Sequence, residues 1–349
     1  MGIPPVTAIH GTADFDTTAL RRFLDETFGQ QKEFAIERIA GGQSNPTYFV
    51  VHGSVRMVLR KQPNGPILRG AHAVDREYRV LQALHPAGVP VAQPILFHAD
   101  HALLGTPFYL MERVEGRIFS NCALADVSKR ERRALWMALA DALAAMHRVR
   151  PEAVGLADYG RPGNYFERQI QRWTKQWSES RSVPIPELDE LAAWLPANMP
   201  PDDGAVSLAH GDYRMGNVIF HPSEPRVAAI LDWELSTLGH PLADLGFCVI
   251  PWNSAQDEYS GILGLDLDAL GLPTEEEFVA RYREGNPDAA PLLPFHKAFA
   301  LFRFAVIFVG IADRARRGNA SDANAAALAP LAYRFAVRGL EITNGQHEV

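Results

Sequence analysis

Cysteine is almost missing from this chain: two residues in 349, Cys122 and Cys248. A disulfide framework or a zinc site of cysteine thiolates is therefore excluded, and a reducing compartment is expected. No positively charged start followed by an apolar stretch opens the sequence, so a secretory signal is not expected and the cytoplasm is. Long hydrophobic runs are also missing. The longest, Ala298 to Ala312, contains Arg303 and is shorter than the roughly 20 residues of a membrane helix, so it reads as a buried helix with no membrane partner. There is no basic excess either: 34 Lys and Arg face 41 Asp and Glu, a net charge of −7, which argues against a general nucleic-acid binder. Internal repeats, low-complexity tracts, a GxxxxGK[ST] loop, HExxH and GxSxG are all absent, leaving P-loop, zincin and nucleophile-elbow chemistry without support.

What is present is the stretch Leu208 to Phe247, where a few polar groups are set into apolar, strand-like runs. Asp212 follows His210 and Gly211, and Asn217 lies five residues further on. Val218 to Phe220 forms a short β-branched and aromatic run, and Val227 to Leu231 returns after a turn at His221 to Pro225. If the runs pair as an antiparallel hairpin, Asn217 and Asp232 emerge at the same end. A carboxylate beside a carboxamide suits Mg²⁺, which takes one or two protein carboxylates and completes its octahedron with water and phosphate oxygens. Asp212 would remain free to receive a proton. Singly, such residues are ordinary turn formers; in this order they make a constellation.

The rest of the chain divides by periodicity. Leu20, Phe23, Leu24 and Phe28 predict a helix ended by Gly29. Strands follow at Phe34–Ile39, Tyr48–Val51, Val55–Arg60, Pro90–His98 and Phe108–Glu112, with a helix marked by Val74, Tyr78, Leu81 and Leu84 between. Beyond Gly116 the pattern stays helical, with capping-box signals at Ser128/Glu131 and Thr274/Glu277, a long apolar helix over Phe295–Arg317, and a last helix bent or begun at Pro330. The expected fold class is α+β and bilobal, a small antiparallel-sheet N-lobe (1–113) and a larger, mainly helical C-lobe (114–349). Gly41 and Gly42, between two strands, let backbone amides approach a phosphate or simply make a hairpin turn.

His210-Gly211-Asp212, Asn217, a strand ending in Asp232-Trp233-Glu234, and then His240-Pro241-Leu242-Ala243-Asp244-Leu245 resemble the aminoglycoside phosphotransferase family. The likeness is greatest to the branch similar to the kinase domain fused to some acyl-CoA dehydrogenases. The resemblance implies a protein-kinase-like fold and ATP- and Mg²⁺-dependent phosphorylation of a hydroxyl on a small molecule. It implies Asp212 as catalytic base, Asn217 and Asp232 as metal ligands, and Gly42, Ser44 and Asn45 at the nucleotide phosphates. Arg60 stands where kinases carry a phosphate-binding lysine; alternation allows only one of Arg60 and Lys61 to face the nucleotide, and Arg60 is the choice. Glu77 matches the helix glutamate that pairs with that residue. Glu112 and Val114 match the segment that offers backbone groups to adenine.

The acceptor is left open. An aminoglycoside carries several ammonium groups and calls for a carboxylate surface. The acceptor-side helix instead carries Lys297, Arg303, Arg314, Arg316 and Arg317 against Asp313. Arg303, inside an apolar run, must find an acid such as Asp244 or Glu234, or else an anionic acceptor such as a hydroxyacyl-coenzyme A. Rival readings are aminoglycoside phosphorylation and a nucleotide-binding module without catalysis. A peptide kinase is disfavoured, because the stretch from Asp232 to His240 is too short for an activation segment.

Overall fold

In the computed structural model, residues 8–9, 13–39, 45–65, 72–161, 163–180, 184–316 and 328–345 are described. The elements run β1 (Ala8–Ile9), α1 (Thr17–Phe28), β2 (Phe34–Ile39), β3 (Thr47–His52), β4 (Val55–Lys61), α2 (Val74–Leu84), β5 (Pro94–His98), α3 (His101–Leu104), β6 (Phe108–Glu112) and α4 (Lys129–Arg148). Then come α5 (Tyr165–Glu179), α6 (Pro186–Ala197), β7 (Ser207–Ala209), β8 (Val218–Phe220), β9 (Val227–Ile230), β10 (Thr237–Gly239), α7 (Pro241–Cys248), α8 (Leu267–Leu270), α9 (Glu275–Gly285), α10 (Pro294–Arg316) and α11 (Ala329–Thr343). The fold is α+β, a small antiparallel sheet followed by a mainly helical remainder.

Two compact units result: Ile3–Ser120 with Gly216–Ser236, and Asn121–Met215 with Thr237–Val349. The sequence reading divides the chain at 113/114 and puts the Asn217–Asp232 hairpin in the helical part; its contacts put it with the sheet. The reason is local bonding. Arg117 and Phe220 exchange backbone hydrogen bonds at 2.8 Å in both directions, and Ile230 donates to the Pro90 carbonyl. Gly116 permits the first approach, since a Cβ there would meet the Phe220 carbonyl oxygen at 2.2 Å.

In the sheet unit the strand order is β1-β2-β3-β4-β6-β5, antiparallel throughout. Period-two alternation sorts β4 into faces. Met57 and Leu59 join Leu20 and Leu24 of α1 with Tyr48, Phe108 and Leu110 in one buried cluster. Arg60 and its cross-strand neighbour Tyr109 face the other way, towards Glu77 of α2.

The helical unit is built round α10. Phe299, Phe302, Ala305 and Phe308 pack with α5, α6, α7 and α11 through Trp173, Leu191, Phe247 and Phe335. At 23 residues α10 matches the helix expected over Phe295–Arg317 to within a residue at each end, and by length and composition it could cross a bilayer. Its most apolar window, however, is 83% buried inside the protein, the pattern of a core helix. Of the two expected capping boxes, Thr274/Glu277 forms at the start of α9, whereas Ser128 at the N-cap of α4 makes no side-chain cap hydrogen bond.

Candidate active site

On the α2-facing side of the sheet, Arg60 is the centre of an ion-pair network. Its Nε lies 2.7 Å from Glu77 Oε2, and its Nη2 lies 2.9 Å from Asp232 Oδ1 and 3.7 Å from Glu234. Burial would lower the guanidinium's pKa, but Glu77 and Asp232 outweigh it and hold the pKa above its ordinary value. Glu77 is itself buried, which pushes its carboxyl up, while Arg60 and donors from Asn45 (2.7 Å) and the Tyr109 hydroxyl (3.0 Å) pull it back. Lys61 turns to the opposite face, fully buried, and pairs with Asp14 at 3.0 Å and Asn64 at 3.1 Å. The two neighbours are thus separated by alternation, with Arg60 on the Glu77 side.

Asn45, expected at a phosphate, has no exposure, and its amide is spent on Glu77 and His72. It positions Glu77 instead. Gly42 and Ser44 lie outside the described residues. Of the adenine-side pair, Glu112 gives its N–H to the Gln93 carbonyl at 2.9 Å, whereas the Val114 N–H and C=O have no partner among the described residues.

The hairpin β8–β9 pairs Val218 with Ile230, and Leu231 donates to the Asn217 carbonyl at 2.8 Å. Asn217 and Asp232 therefore flank the same end. Asp232 sits in the left-handed region, φ 63° and ψ 65°, a conformation that costs a non-glycine residue about 1–3 kcal/mol and gathers at functional sites. Its Oδ1 meets Arg60, while Oδ2 has no partner among the described residues. Among the described residues no three His, Cys, Asp or Glu side chains are grouped to cage a metal. A carboxylate with one uncommitted oxygen beside a carboxamide fits Mg²⁺, whose other ligands are phosphates and water, and fits no all-protein metal site.

In the helical unit the Asp212 loop is fixed by Asp244 of α7. This buried carboxylate accepts the backbone N–H of His210 at 2.6 Å and of Gly211 at 2.9 Å, and the His147 ring lies 3.3 Å away. Burial alone would raise its pKa; the His147 hydrogen bond and charge, with the backbone donors, bring it below the usual carboxylate value. Gly211 takes φ +83°, which turns the chain so that Asp212 follows at once. The Asp212 carboxylate is 3.4 Å from Arg214 Nε, and the Arg214 guanidinium stands 5.8 Å from the Tyr259 ring centroid. Burial opposes the charge on Arg214, but Asp212 more than offsets it. Tyr259 and Ser260 are consecutive left-handed residues, both at φ 64°.

Arg303 does not meet Asp244 or Glu234. Asp244 is committed to the His210–Gly211 loop, and Glu234 belongs to the Arg60 network. Buried to 7% exposure, Arg303 donates from Nη2 to the Gly211 carbonyl and lies 5.6 Å and 5.4 Å from the Trp173 and Phe247 ring centroids. Among the described residues no carboxylate neutralises it. Of the other cations on α10, Lys297 pairs with Glu275 and Arg316 with Asp313. The roles of Asp244, His147 and Arg214 are not visible in local periodicity. One signal was the run of chemistry-bearing residues after His240, which singles out Asp244 without revealing its partners.

The geometry agrees with what comparison finds. The sequence model described as "Phosphotransferase enzyme family" matches residues 35–293. The chain is similar to acyl-CoA dehydrogenase family member 11 of Gallus gallus, 39% identical over 354 residues, covering 98% of this chain and 45% of that protein. It thus spans under half the length of that relative. It is also similar to a Ralstonia eutropha crystal structure provisionally assigned as an aminoglycoside phosphotransferase, with a TM-score of 0.87 and 41% identity over 95% of this chain and 99% of that one. A spectinomycin phosphotransferase in complex with ADP and spectinomycin shares the fold, TM-score 0.62, at 12% identity over 97% and 99% of the two chains. With the sequence model spanning most of the chain and the His210–Asp244 motifs folded as described, this chain belongs to the phosphotransferase enzyme family.

Proposed function

We propose that this chain transfers the γ-phosphoryl group of ATP to a hydroxyl of a small, anionic molecule. The observation that carries the reading is the Arg60 network: one buried guanidinium is held by Glu77 and reaches the carboxylate of a left-handed Asp232 beside Asn217. Arg60 binds nucleotide phosphate, for which a planar guanidinium is suited. Val114 offers its backbone N–H and C=O to adenine. Asn217 and Asp232 hold Mg²⁺, which when bound neutralises charge on the phosphates. Asp212 accepts the proton of the acceptor hydroxyl as that oxygen bonds to phosphorus and ADP leaves.

Arg303 favours an anionic acceptor. It is a buried cation next to the Asp212 loop with no carboxylate partner among the described residues, and Arg214 adds a second positive charge beside Asp212. The Gallus gallus relative is named for acyl-CoA dehydrogenation, and a hydroxyacyl-coenzyme A is an anionic alcohol of fitting chemistry. The provisional name of the Ralstonia eutropha structure favours the second reading, an aminoglycoside acceptor.

The test is turnover of Mg-ATP with a panel of acidic, neutral and cationic alcohols, with products identified by mass. Asp212→Asn is expected to lower kcat by roughly 10²- to 10⁴-fold with little change in nucleotide affinity, as loss of a positioned base does. Near-normal turnover by that variant would overturn the assignment. Absence of any phosphorylated product across the panel would favour a binding module.

A further inference from the structure

The helical unit holds a cavity of about 240 Å³ in which neither Asp212 nor any residue of its loop takes part. Its walls are largely apolar: Phe166, Pro200, Leu238, Leu242, Pro291 and Leu293. For scale, a cavity of roughly 150 Å³ is enough for benzene. The ring of His296, 2% exposed, lines it. His296 stands on α10 seven residues before Arg303, about 10 Å along the helix axis, so the cavity and the Asp212 loop touch the same helix at different points.

The polar groups around the cavity are committed, with one pattern of exceptions. Asp202 accepts the N–H of Asn164 and of Gly204, each at 3.0 Å. His240 Nδ1 accepts the Leu242 N–H, so its Nε2 carries the hydrogen and gives it to Asp203 Oδ1 at 3.1 Å. In His296, Nδ1 accepts the Leu293 N–H at 2.9 Å. A backbone N–H can only donate, so the hydrogen of the neutral ring is on Nε2. No described residue accepts it. The Tyr165 hydroxyl, on the same cavity wall, is likewise without a partner among the described residues. Its ring is seated against Gly239, where a Cβ would come within 2.6 Å of Tyr165 Cε2.

The Nε2–H of His296, fixed in one tautomer, reaches the open space of a largely apolar pocket and has no protein acceptor among the described residues. We propose that this cavity is a second binding site, for a compact and uncharged, mainly apolar molecule with one carbonyl or ether oxygen, which accepts the hydrogen of His296 Nε2. Charge selects against an anion, which would face Asp202, Asp203 and Glu167 with only Arg161 in its favour; those acids would attract an ammonium, but it would present a donor to the His296 donor and could not satisfy it.

Acetophenone is a suitable probe, with benzoate and benzylamine as its anionic and cationic counterparts. Binding is read on the full chain by histidine ¹⁵N resonances and by calorimetry. Acetophenone is expected to bind saturably and to shift the Nε2–H signal of His296. The two charged probes should bind at least tenfold more weakly. Val206→Trp, at the exposed rim, should fill the cavity and weaken acetophenone at least tenfold, and an unchanged histidine spectrum in the absence of probe shows that the variant is folded. The proposal is overturned if acetophenone gives no saturable shift up to millimolar concentration, if a folded Val206→Trp binds it equally, or if benzoate binds best.

Discussion

Burial of a single imidazole gives the clearest consequence at the scale of residues. Burial, together with the neighbouring His240 ring stacked at 6.1 Å, lowers the pKa of His296 to about 4. In the unfolded chain the same ring titrates near 6.5, so between the two values the unfolded state binds a proton that the folded state refuses. The contribution of His296 is therefore fully present above about pH 6.5 and is lost as pH falls towards 4, by about 3 kcal/mol over the whole interval. Urea midpoints at pH 7.5 and pH 5 should show this loss, and His296→Phe should flatten the difference; equal slopes in the two proteins would mean that another group titrates. Nothing in the sequence distinguished His296 from any other histidine, because its environment is made by four segments spread between Arg161 and His296, a separation that no local pattern reports. Arg60 is the opposite case. Alternation along one strand said that it and Lys61 must part, and that rule is local enough to read without a structure. Asn45 lay between the cases: its loop was recognisable, but its burial against Glu77 depended on a contact 32 residues away.

Identical sequence signals at two helix starts have different outcomes, which makes elements the next scale at which sequence and structure can be compared. Thr274 accepts the Glu277 N–H and Glu277 returns a bond to the Thr274 N–H, so two orphan donors of α9 are satisfied. Ser128 stands at the N-cap of α4 with the same spacing to Glu131, yet its hydroxyl makes no such bond. Thr274→Ala should cost about 1 kcal/mol and Ser128→Ala under about 0.5 kcal/mol, measured as shifts in denaturant midpoint. Strands β2, β3, β4, β6, β8 and β9 were legible to within a few residues, β5 was read from four residues too early, and the short, wholly buried β7 and the three-residue β10 were not read as strands. The order of strands in the sheet was not legible, since pairing β4 with β6 rather than β5 is a property of how the chain crosses over. The two-residue β1 carried no periodicity to read. The hairpin β8–β9 was visible from its runs and turn, and its end is where chemistry is expected. Asp232→Ala should weaken Mg-ATP binding much more than binding of metal-free nucleotide, because the lost carboxylate is assigned to the metal. Equal losses in the two titrations would instead make Asp232 a partner of Arg60 and nothing more.

Whole-molecule charge points one way and local charge the other, and the proposed anionic acceptor follows from the local one. The chain is acidic, net −7, so at long range it attracts polycations such as aminoglycosides. Within the helical unit, though, the neighbourhood of Asp212 contains two buried or half-buried guanidiniums, and one of them, Arg303, meets a carbonyl, two aromatic faces and the nearby Tyr165, with no carboxylate partner among the described residues. A bound polycation would have to displace water and meet this charge at short range, where screening is weak. Long-range attraction would raise the encounter rate without supplying a site. Kinetics should therefore favour acidic or coenzyme A-linked alcohols, and kcat/KM for kanamycin should fall well below the roughly 10⁴ M⁻¹s⁻¹ at the lower end of ordinary enzymes. Arg303→Met separates this account from a purely structural one. Replacing a buried cation that lacks a carboxylate by an apolar side chain of similar length is often neutral or stabilising, so the variant should fold with its stability kept or raised. Its KM for the anionic acceptor should rise at least tenfold while the KM for Mg-ATP stays put. If kanamycin is turned over at an ordinary enzymatic rate, or if Arg303→Met changes stability but leaves the acceptor KM alone, the guanidinium serves the Gly211 turn and not the substrate.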